Sequence, residues 1–219
     1  MIRSIGKAAV ATALLATSLA ATGSVAHASG RDVPPPGGFT IGLVNANGSG
    51  CPSGTTAATV SPDATAFTVT YSNYLAQAGG NSLPTDFRKN CQLVVQINAP
   101  QGFTYAIAEA DYRGYAYLAP GASGIEAANY YFQGQAQTGT LSHAFNGAMS
   151  DDWQATDTAS VASLVWAPCG ETRDLNINTQ LLVRAGSQSP GQTSFMTMDS
   201  TDGSLTTIYH LAWEQCPRR

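Results

Sequence analysis

The alternation of hydrophobic and polar residues along the chain predicts β-strands. The clearest example is residues 89–98, where Cys91, Leu93, Val95 and Ile97 share one parity and polar residues fill most of the other. Successive side chains of a strand point to opposite faces, so this pattern is typical of a strand with one buried face. A disulfide from Cys91 would therefore tie a distant segment to the middle of a sheet.

A second long run, residues 103–118, alternates in the same way with a different composition. Its even positions from 108 to 116 hold alanine, glycine and Tyr112, and we expect this face to be buried. The opposite face, which we expect to be open, carries Glu109, Asp111, Arg113, Tyr115 and Tyr117. The turn residues 120–124 then predict a hairpin with a strand at residues 126–133.

Further strand candidates and turn signals follow along the chain. Residues 76–90 are predicted to form a polar loop, and Asn146-Gly147 and Asp202-Gly203 to form hairpin turns. The other strand candidates are residues 39–43, 66–72, 140–145, 161–166, 175–183, 195–198 and 205–214. About nine or ten strands and no helix period outside the N-terminus predict an all-β fold, a single-domain antiparallel β-sandwich that is jelly-roll-like.

The N-terminus has the features of a secretory signal peptide. Arg3 and Lys7 precede an apolar run over residues 8–21, and Ala26-His27-Ala28 is a small-x-small cleavage site. A membrane anchor is the alternative, but the run is shorter than the roughly 20 residues that span a bilayer. We expect a secreted, extracellular protein with no membrane span after processing. Its expected parts are the signal peptide, residues 1–28, a Pro/Gly-rich leader, residues 29–38, and the β-sandwich domain, residues 39–219.

Charge and composition narrow the classes of partner. Removal of the signal takes away two of the ten basic residues and none of the fourteen acidic ones, so the formal net charge changes from -4 to -6. A phosphate backbone calls for clustered Lys and Arg, so we expect no nucleic-acid partner. Only 11% of the residues are charged, which predicts a neutral, hydrogen-bonding surface. No glycine-rich phosphate loop follows a strand, and we expect no cofactor.

All four cysteines, Cys51, Cys91, Cys169 and Cys216, follow the predicted signal peptide. Exported chains with an even number of cysteines usually hold disulfides, and four cysteines allow three connectivities. We favour Cys51 with Cys91 and Cys169 with Cys216, because each bridge then closes a loop within its own half of the chain. Loop entropy would make each bridge worth about 4 kcal/mol. A zinc site or a redox pair is the alternative, but it lacks any Cys-x-x-Cys spacing.

Two pairs of carboxylates are candidate catalytic groups. Glu109 and Asp111 lie two apart on a predicted strand and so share a face, as paired acid and base groups must. Asp151 and Asp152 adjoin Trp153 in a combination that suits a metal or sugar site. The alternatives are a solvated strand face and an ordinary turn. Residues 199–203 resemble a calcium loop but lack its full pattern, so a hairpin turn is preferred and no metal is expected.

Aromatic side chains supply the candidate ligand contacts. Tyr112, Tyr115 and Tyr117, with Tyr130 and Tyr131 on the next strand, could form a strip that stacks on sugar rings, and cross-strand packing explains them equally well. Both histidines after the signal, His143 and His210, are interpreted as hydrogen-bonded strand residues, since neither adjoins a nucleophile motif. The candidate ligand-binding residues are Arg113, Tyr115, Tyr117, Tyr131 and Trp153.

Eight motifs together resemble a known family. They occur in the order Gly48-Ser-Gly-Cys-Pro52, Lys89-Asn-Cys-Gln-Leu93, Tyr112-Arg-Gly-Tyr-Ala116, Tyr130-Tyr-Phe132, Trp166-Ala-Pro-Cys-Gly170, Leu175-Asn-Ile-Asn178, Asp199-Ser-Thr-Asp-Gly203 and Trp213-Glu-Gln-Cys216. This order is similar to that of the domain of unknown function 4360 family, over about residues 40–216. The family consists of small secreted microbial proteins without an agreed activity. The resemblance implies one exported domain with structural disulfides and brings no catalytic residue.

Three function classes remain open at this point. The first is a non-catalytic extracellular binding or structural module, with a polysaccharide or a cell-envelope component as the first ligand to consider. The second is a glycan-acting hydrolase that uses one of the carboxylate pairs. The third is a secreted inhibitor or effector that presents a loop such as residues 75–90 to a protein partner.

Overall fold

Antiparallel strands account for most of the computed structural model, which describes residues 34–136, 140–160, 164–189, 191–198 and 206–217. No helix occurs in these ranges, and so none there is long and apolar enough to cross a membrane. The predicted signal peptide and the first half of the leader lie outside them. The strands are β1 (Thr40–Asn47), β2 (Thr56–Val60), β3 (Ala66–Tyr71), β4 (Leu75–Ala78), β5 (Arg88–Asn98), β6 (Phe103–Leu118), β7 (Ser123–Phe132), β8 (Leu141–Asn146), β9 (Met149–Thr158), β10 (Leu175–Arg184), β11 (Ser194–Thr197) and β12 (Thr207–Gln215).

The strands form two sheets that face each other across one core, as predicted for an all-β sandwich. The first sheet has the order β1-β5-β10-β7-β8, and the second has the order β2-β3-β12-β6-β11-β4. Strand β9 pairs with β6 along the edge opposite β12 and β11. Strand β6 is therefore the centre of the second sheet. Every pairing among the described strands is antiparallel.

Strand β5 has the predicted alternation. Cys91, Leu93, Val95 and Ile97 are all buried, and β5 lies between β1 and β10 in the first sheet. The predicted connectivity of the disulfides is confirmed, with bridges between Cys51 and Cys91 and between Cys169 and Cys216. The first bridge ties the loop after β1 to the middle of the first sheet.

The two faces of β6 differ as its composition predicts, with one exception. The even positions from 110 to 118 are buried, and a side chain at Gly114 would lie 1.9 Å from the Thr197 carbonyl oxygen, so glycine is needed there. Glu109, Arg113, Tyr115 and Tyr117 are half-buried on the outer face. The exception is Asp111, which is only 9% exposed because side chains of the neighbouring strands cover it.

Two of the three predicted hairpins are wrong for the same physical reason, and the turn of the third, at Asp202-Gly203, lies outside the described residues. The turn at 120–124 carries the chain from the second sheet to the first, where β7 pairs with β10 and β8. Asn146-Gly147 carries it back, because β8 pairs with β7 and β9 pairs with β6. Strands β11 and β12 both pair with β6 and not with each other, although their connection lies outside the described residues. Turn residues report a reversal of the chain but not the sheet that the next strand joins.

Two smaller predictions also need correction. The polar loop at 76–90 contains strand β4 and the start of β5, so its irregular part is confined to residues 79–87. The strand at 161–166 is not present in its described part, since residues 164–166 are irregular, and residues 161–163 lie outside the described ranges. The first stretch is mostly polar and the second is apolar on both parities, so neither has the alternation by which a short strand is recognised.

Aromatic side chains fill much of the space between the sheets. Phe67 stacks on Tyr209 with ring centroids 4.8 Å apart, and Tyr105 packs edge-on against Phe132 and beside Trp213. All five side chains are buried. Burial of one large apolar side chain is worth about 1.5–3 kcal/mol, so this cluster is a major part of the hydrophobic stabilisation.

Candidate functional site

The outer face of β6 brings together most of the side chains singled out in the sequence. Glu109, Asp111, Arg113, Tyr115 and Tyr117 form one row, here called the outer strip. At the rise of a strand the row is about 26 Å long. Polar residues of β9 flank it on one side: Ser150, Asp152, Gln154, Thr156 and Thr158. The result is a flat, hydrogen-bonding surface with ionisable groups at one end and aromatic rings at the other.

The acidic end of the outer strip is a connected group of polar side chains. Asp111 Oδ1 accepts a hydrogen bond from the Thr156 hydroxyl at 2.6 Å and a longer one from the Gln154 amide at 3.5 Å. His210 of β12 places Nε2 3.4 Å from Asp111 Oδ2 and 4.0 Å from Glu109 Oε1. The Thr158 hydroxyl donates to Glu109 at 3.2 Å. Each carboxylate therefore already has partners from the protein.

The aromatic end consists of three rings on two strands. Phe195 of β11 lies between Tyr115 and Tyr117, with ring centroids 6.0 Å from each. The Thr197 hydroxyl accepts a hydrogen bond from the Tyr115 backbone N–H at 3.1 Å, which fixes β11 against β6. The Tyr115 hydroxyl is 2.9 Å from the hydroxyl of Ser150. All three rings are half-buried, so each keeps part of its surface in solvent.

One group of side chains at the acidic end has the composition of a metal site. Glu109, Asp111 and His210 each offer a ligand atom, and these atoms all lie within 4.8 Å of one another. Two carboxylates and an imidazole are a donor set that a zinc-like divalent cation accepts. Among the described residues this is the only such group of three.

The second carboxylate pair does not converge. Asp151 and Asp152 are consecutive residues of β9, not part of a turn, so their side chains point to opposite faces of the strand. The Asp151 carboxylate accepts a hydrogen bond from the Asp152 backbone N–H instead. Trp153 shares its face with Asp151, is 3% exposed and donates its indole N–H to the Thr197 carbonyl oxygen. Trp153 is therefore a core residue and Asp152 alone adjoins the outer strip.

The expected tyrosine strip is also divided between locations. Tyr112 is fully buried, and its hydroxyl contacts the hydroxyl of Tyr130 between the sheets. Tyr131 lies in the first sheet, where its hydroxyl is 3.4 Å from the Gln92 amide nitrogen. Only Tyr115 and Tyr117 remain on the outer face of the second sheet. The reason is that β7 crosses to the other sheet and does not return beside β6.

A second set of ionisable groups lies between the sheets, where β8 approaches β9. Asp157 of β9 has a side chain that is 5% exposed, and it lies 2.7 Å from His143 Nε2 of β8. The Tyr130 hydroxyl is 3.5 Å from the other Asp157 oxygen, and desolvation raises the pKa of that phenol far above its usual value. Glu126 is fully buried beside them.

Glu126 is unusual because neither of its carboxylate oxygens has a hydrogen-bond partner among the described residues. Burial raises its pKa to about 9, and the nearby Asp157 adds to this shift. A carboxyl group in such surroundings is neutral at pH 7, since the charged form would lose its hydration without compensation. No sequence pattern indicated this burial, because Glu126 is a single acidic residue within a strand that has small residues on either side of it.

Sequence reasoning missed two residues that adjoin the outer strip. Phe195 was recognised only as part of a strand, and its place between Tyr115 and Tyr117 follows from the pairing of β11 with β6. His210 was interpreted as a hydrogen-bonded strand residue, which is confirmed, but its proximity to Glu109 and Asp111 follows from the pairing of β12 with β6. Strand alternation gives the face of a side chain, whereas its neighbours depend on topology.

Comparisons with known proteins agree with this description. The family model described as Domain of unknown function (DUF4360) matches residues 37–216. An "Uncharacterized secreted protein" of Arthroderma benhamiae is 38% identical over 187 residues, which cover 85% of this chain and 76% of the relative. No solved structure matches the chain. The relative's name and the two disulfides both fit a protein that is secreted and extracellular.

Proposed function

This chain belongs to the Domain of unknown function (DUF4360) family, and we propose that it is a non-catalytic extracellular binding protein whose ligand surface is the outer strip. The observation that carries the proposal is the continuous row on β6, with three half-exposed rings at one end and hydrogen-bonding groups along the rest. Exposed rings and neutral polar groups on one flat face are the features with which a protein holds an extended polar ligand.

The ligand class that fits this surface best is a polysaccharide of the cell envelope or the surroundings. The face of a sugar ring is apolar and packs on an aromatic ring, while its hydroxyl groups exchange hydrogen bonds with carboxylate, amide and hydroxyl side chains. A row about 26 Å long would contact several successive sugars of a chain. Flat surfaces suit polymers, because each contact is weak and many are made together.

Binding is favoured over hydrolysis by the way in which the carboxylates are held. Asp111 Oδ1 already accepts hydrogen bonds from Thr156 and Gln154, and Glu109 accepts one from Thr158. The Glu109 side chain is 39% exposed, whereas catalytic acids work best where water is excluded. The hydrolase hypothesis therefore remains the second candidate, supported by the shared face of Glu109 and Asp111.

Sedimentation with insoluble polysaccharides and purified cell walls tests the proposal. We expect Tyr115→Ala combined with Tyr117→Ala to reduce the bound fraction at least tenfold, because two of the three rings at the aromatic end are removed. Tyr131→Ala is the matched control, since it removes a half-buried tyrosine from the other sheet. Equal binding by the double variant and the control, with both folded by circular dichroism, would refute the proposed surface.

A turnover measurement separates binding from hydrolysis. The purified protein is incubated with the polysaccharides that it binds, and reducing ends are measured. The proposal predicts no turnover, and it predicts that Glu109→Gln with Asp111→Asn changes only affinity. Turnover that the double variant abolishes would establish the hydrolase hypothesis instead.

A specific loop also supports the inhibitor hypothesis as a third candidate. Leu83 and Phe87 are 64% and 45% exposed in the loop at 79–87, and Asp86 holds this loop in place. Its carboxylate binds the Lys89 ammonium at 2.9 Å and the Gln77 amide at 3.3 Å, contacts that lower its pKa. Size-exclusion chromatography with secreted proteases tests this hypothesis, which requires a complex that Leu83→Ala with Phe87→Ala dissolves.

A further inference from the structure

A cleft opens between the two sheets where their edge strands β8 and β9 approach each other. Its volume is about 370 Å³, which lies within the range of small-molecule sites. The cleft lies between the sheets, whereas the outer strip covers the opposite, outward face of β6. The two features can therefore be tested independently.

The wall of the cleft is largely apolar. Strand β6 contributes Ile107 and Ala110, strands β7 and β10 contribute Phe132 and Leu175, and Leu141 and Val165 complete the rim. Leu141 is a large aliphatic side chain and yet is 45% exposed. The alternation of its strand would allow a polar residue at this position. An apolar surface of this kind is stabilised when a ligand displaces the water that contacts it.

Four residues with polar side chains also line the cleft, and two of them, Asp157 and Tyr130, lie side by side. The Asp157 carboxylate lines the cleft with its side chain nine-tenths buried, and Tyr130 lines it beside Asp157. One Asp157 oxygen lies 2.7 Å from His143 Nε2, and among the described residues the other has only the long 3.5 Å contact with the Tyr130 hydroxyl. A carboxylate oxygen can accept two hydrogen bonds, so this oxygen retains capacity for a donor that enters the cleft.

We propose that the cleft binds a small, largely apolar molecule that carries one hydrogen-bond donor, such as an aromatic amine or an alcohol, with the donor directed at Asp157. The apolar wall holds the body of the ligand, and the buried acceptor orients it. A buried acceptor also selects among ligands, because a molecule without a donor would leave the carboxylate dehydrated and unpaired. An anionic molecule is also excluded, because the Asp157 carboxylate would repel its negative charge.

The test uses N-phenyl-1-naphthylamine, a neutral fluorophore with two aromatic groups and a single N–H donor. Its fluorescence increases when it leaves water, so a titration of the full chain gives stoichiometry and affinity. We expect saturable binding of one molecule per chain. The anionic analogue 8-anilinonaphthalene-1-sulfonate has the same rings and an added sulfonate, and we expect it to bind at least tenfold more weakly.

Matched leucine variants locate the bound probe. Leu141→Trp places an indole at the rim of the cleft and should weaken binding of the neutral probe at least tenfold. Leu83→Trp makes the same change at an exposed leucine of a distant loop and should have no effect. If Leu141→Trp does not fold, Val165→Trp at the other side of the rim replaces it. The outer-strip variant Tyr115→Ala with Tyr117→Ala should bind the probe as the parent chain does.

Three results would overturn the proposal. The first is the absence of saturable binding, and the second is an equal effect of the rim and control variants, which would mean adsorption elsewhere. The third is equal or tighter binding of the sulfonate, which would show that Asp157 does not select the ligand. None of these results bears on polysaccharide binding at the outer strip.

Discussion

Two aspartate–histidine pairs, one on the outer face and one between the sheets, show how surroundings decide what a charged pair does. Asp111 with His210 and Asp157 with His143 have aspartates of similar burial and histidines that are 39% and 33% exposed. Asp111 also has two donors from β9, whereas Asp157 has one long contact with Tyr130. Among the described residues, the outer aspartate therefore has two hydrogen-bond donors besides its histidine, whereas the inner aspartate has only the long contact with Tyr130.

The difference extends to the neighbouring acids. Glu109 is partly exposed beside the outer pair and accepts a hydrogen bond from Thr158, whereas Glu126 is fully buried near the inner pair and has no such partner in the described part of the chain. The outer face can thus carry ionised groups at little cost and present them to a ligand. The inner region carries one neutral acid and one tightly held carboxylate, so changes there affect stability first.

The largest expected effect comes from Glu126→Gln. With a pKa of about 9 in the folded state and 4.5 in the unfolded state, the parent chain loses stability as pH rises between these values, because only the unfolded state releases the proton. Glutamine stays neutral and keeps the shape, so the variant should be more stable by about 3 kcal/mol at pH 7 and equal at pH 4. Urea unfolding across this pH range measures the difference.

The control for this prediction is Glu171→Gln, which changes an exposed carboxylate paired with Arg173. It should alter the free energy of unfolding by less than about 1 kcal/mol at any of these pH values. A difference between Glu126→Gln and the parent chain that does not change with pH would show that Glu126 is ionised in the folded protein.

The next effect in size comes from the two histidines. His143→Ala leaves the nearly buried Asp157 carboxylate, among the residues that the structure describes, with only its long contact to Tyr130, so we expect a loss of roughly 2 kcal/mol in the free energy of unfolding. His210→Ala leaves Asp111 with Thr156 and Gln154, so we expect less than about 0.5 kcal/mol. Thermal and urea unfolding at pH 7 compare the variants. Equal losses would remove the distinction between the two pairs.

A smaller effect than that of His143→Ala is expected from the loss of a single hydroxyl on the outer face. Thr156→Val removes the 2.6 Å hydrogen bond to Asp111, and solvent can replace the donor, so the loss should be about 0.5–1 kcal/mol. Thr158→Val, which removes the longer bond to Glu109 at an exposed position, should cost less. Urea titrations of both variants measure this order. A loss of unfolding free energy larger than that of His143→Ala would contradict the prediction that the remaining partners of Asp111, His210 and Gln154, compensate for the missing hydroxyl.

The comparison also shows what the sequence could predict. Alternation identified β5 and β6 and gave the face of each side chain, because the period of two is a local property of a strand. The disulfide pairing followed from loop lengths. The neighbours of each strand could not be predicted, since the turns at 120–124 and at Asn146-Gly147 lead into the other sheet. For that reason Phe195 and His210 were not recognised beside the outer strip, and Trp153 was expected on a surface that it does not reach.

The proximity of the buried acidic groups could not be predicted from the sequence for a related reason. Glu126 and Asp157 belong to strands of different sheets, and their proximity depends on how β8 and β9 meet at the edge of the sandwich. A local pattern contains no information on that distance. Their environment, and the cleft beside them, depend on the three-dimensional arrangement of the two sheets.

Polysaccharide binding at the outer strip is tested most directly by a backbone amide NMR titration of the folded protein. The ligands are soluble oligosaccharides from a polysaccharide with which the protein sediments. If the ligand binds the outer strip, we expect the shifted resonances to belong to β6, β9 and β11 around Tyr115, Tyr117 and Phe195. Shifts confined to the residues around Tyr130, Leu141 and Val165 would contradict it, because the ligand would then occupy the cleft between the sheets and not the outer face.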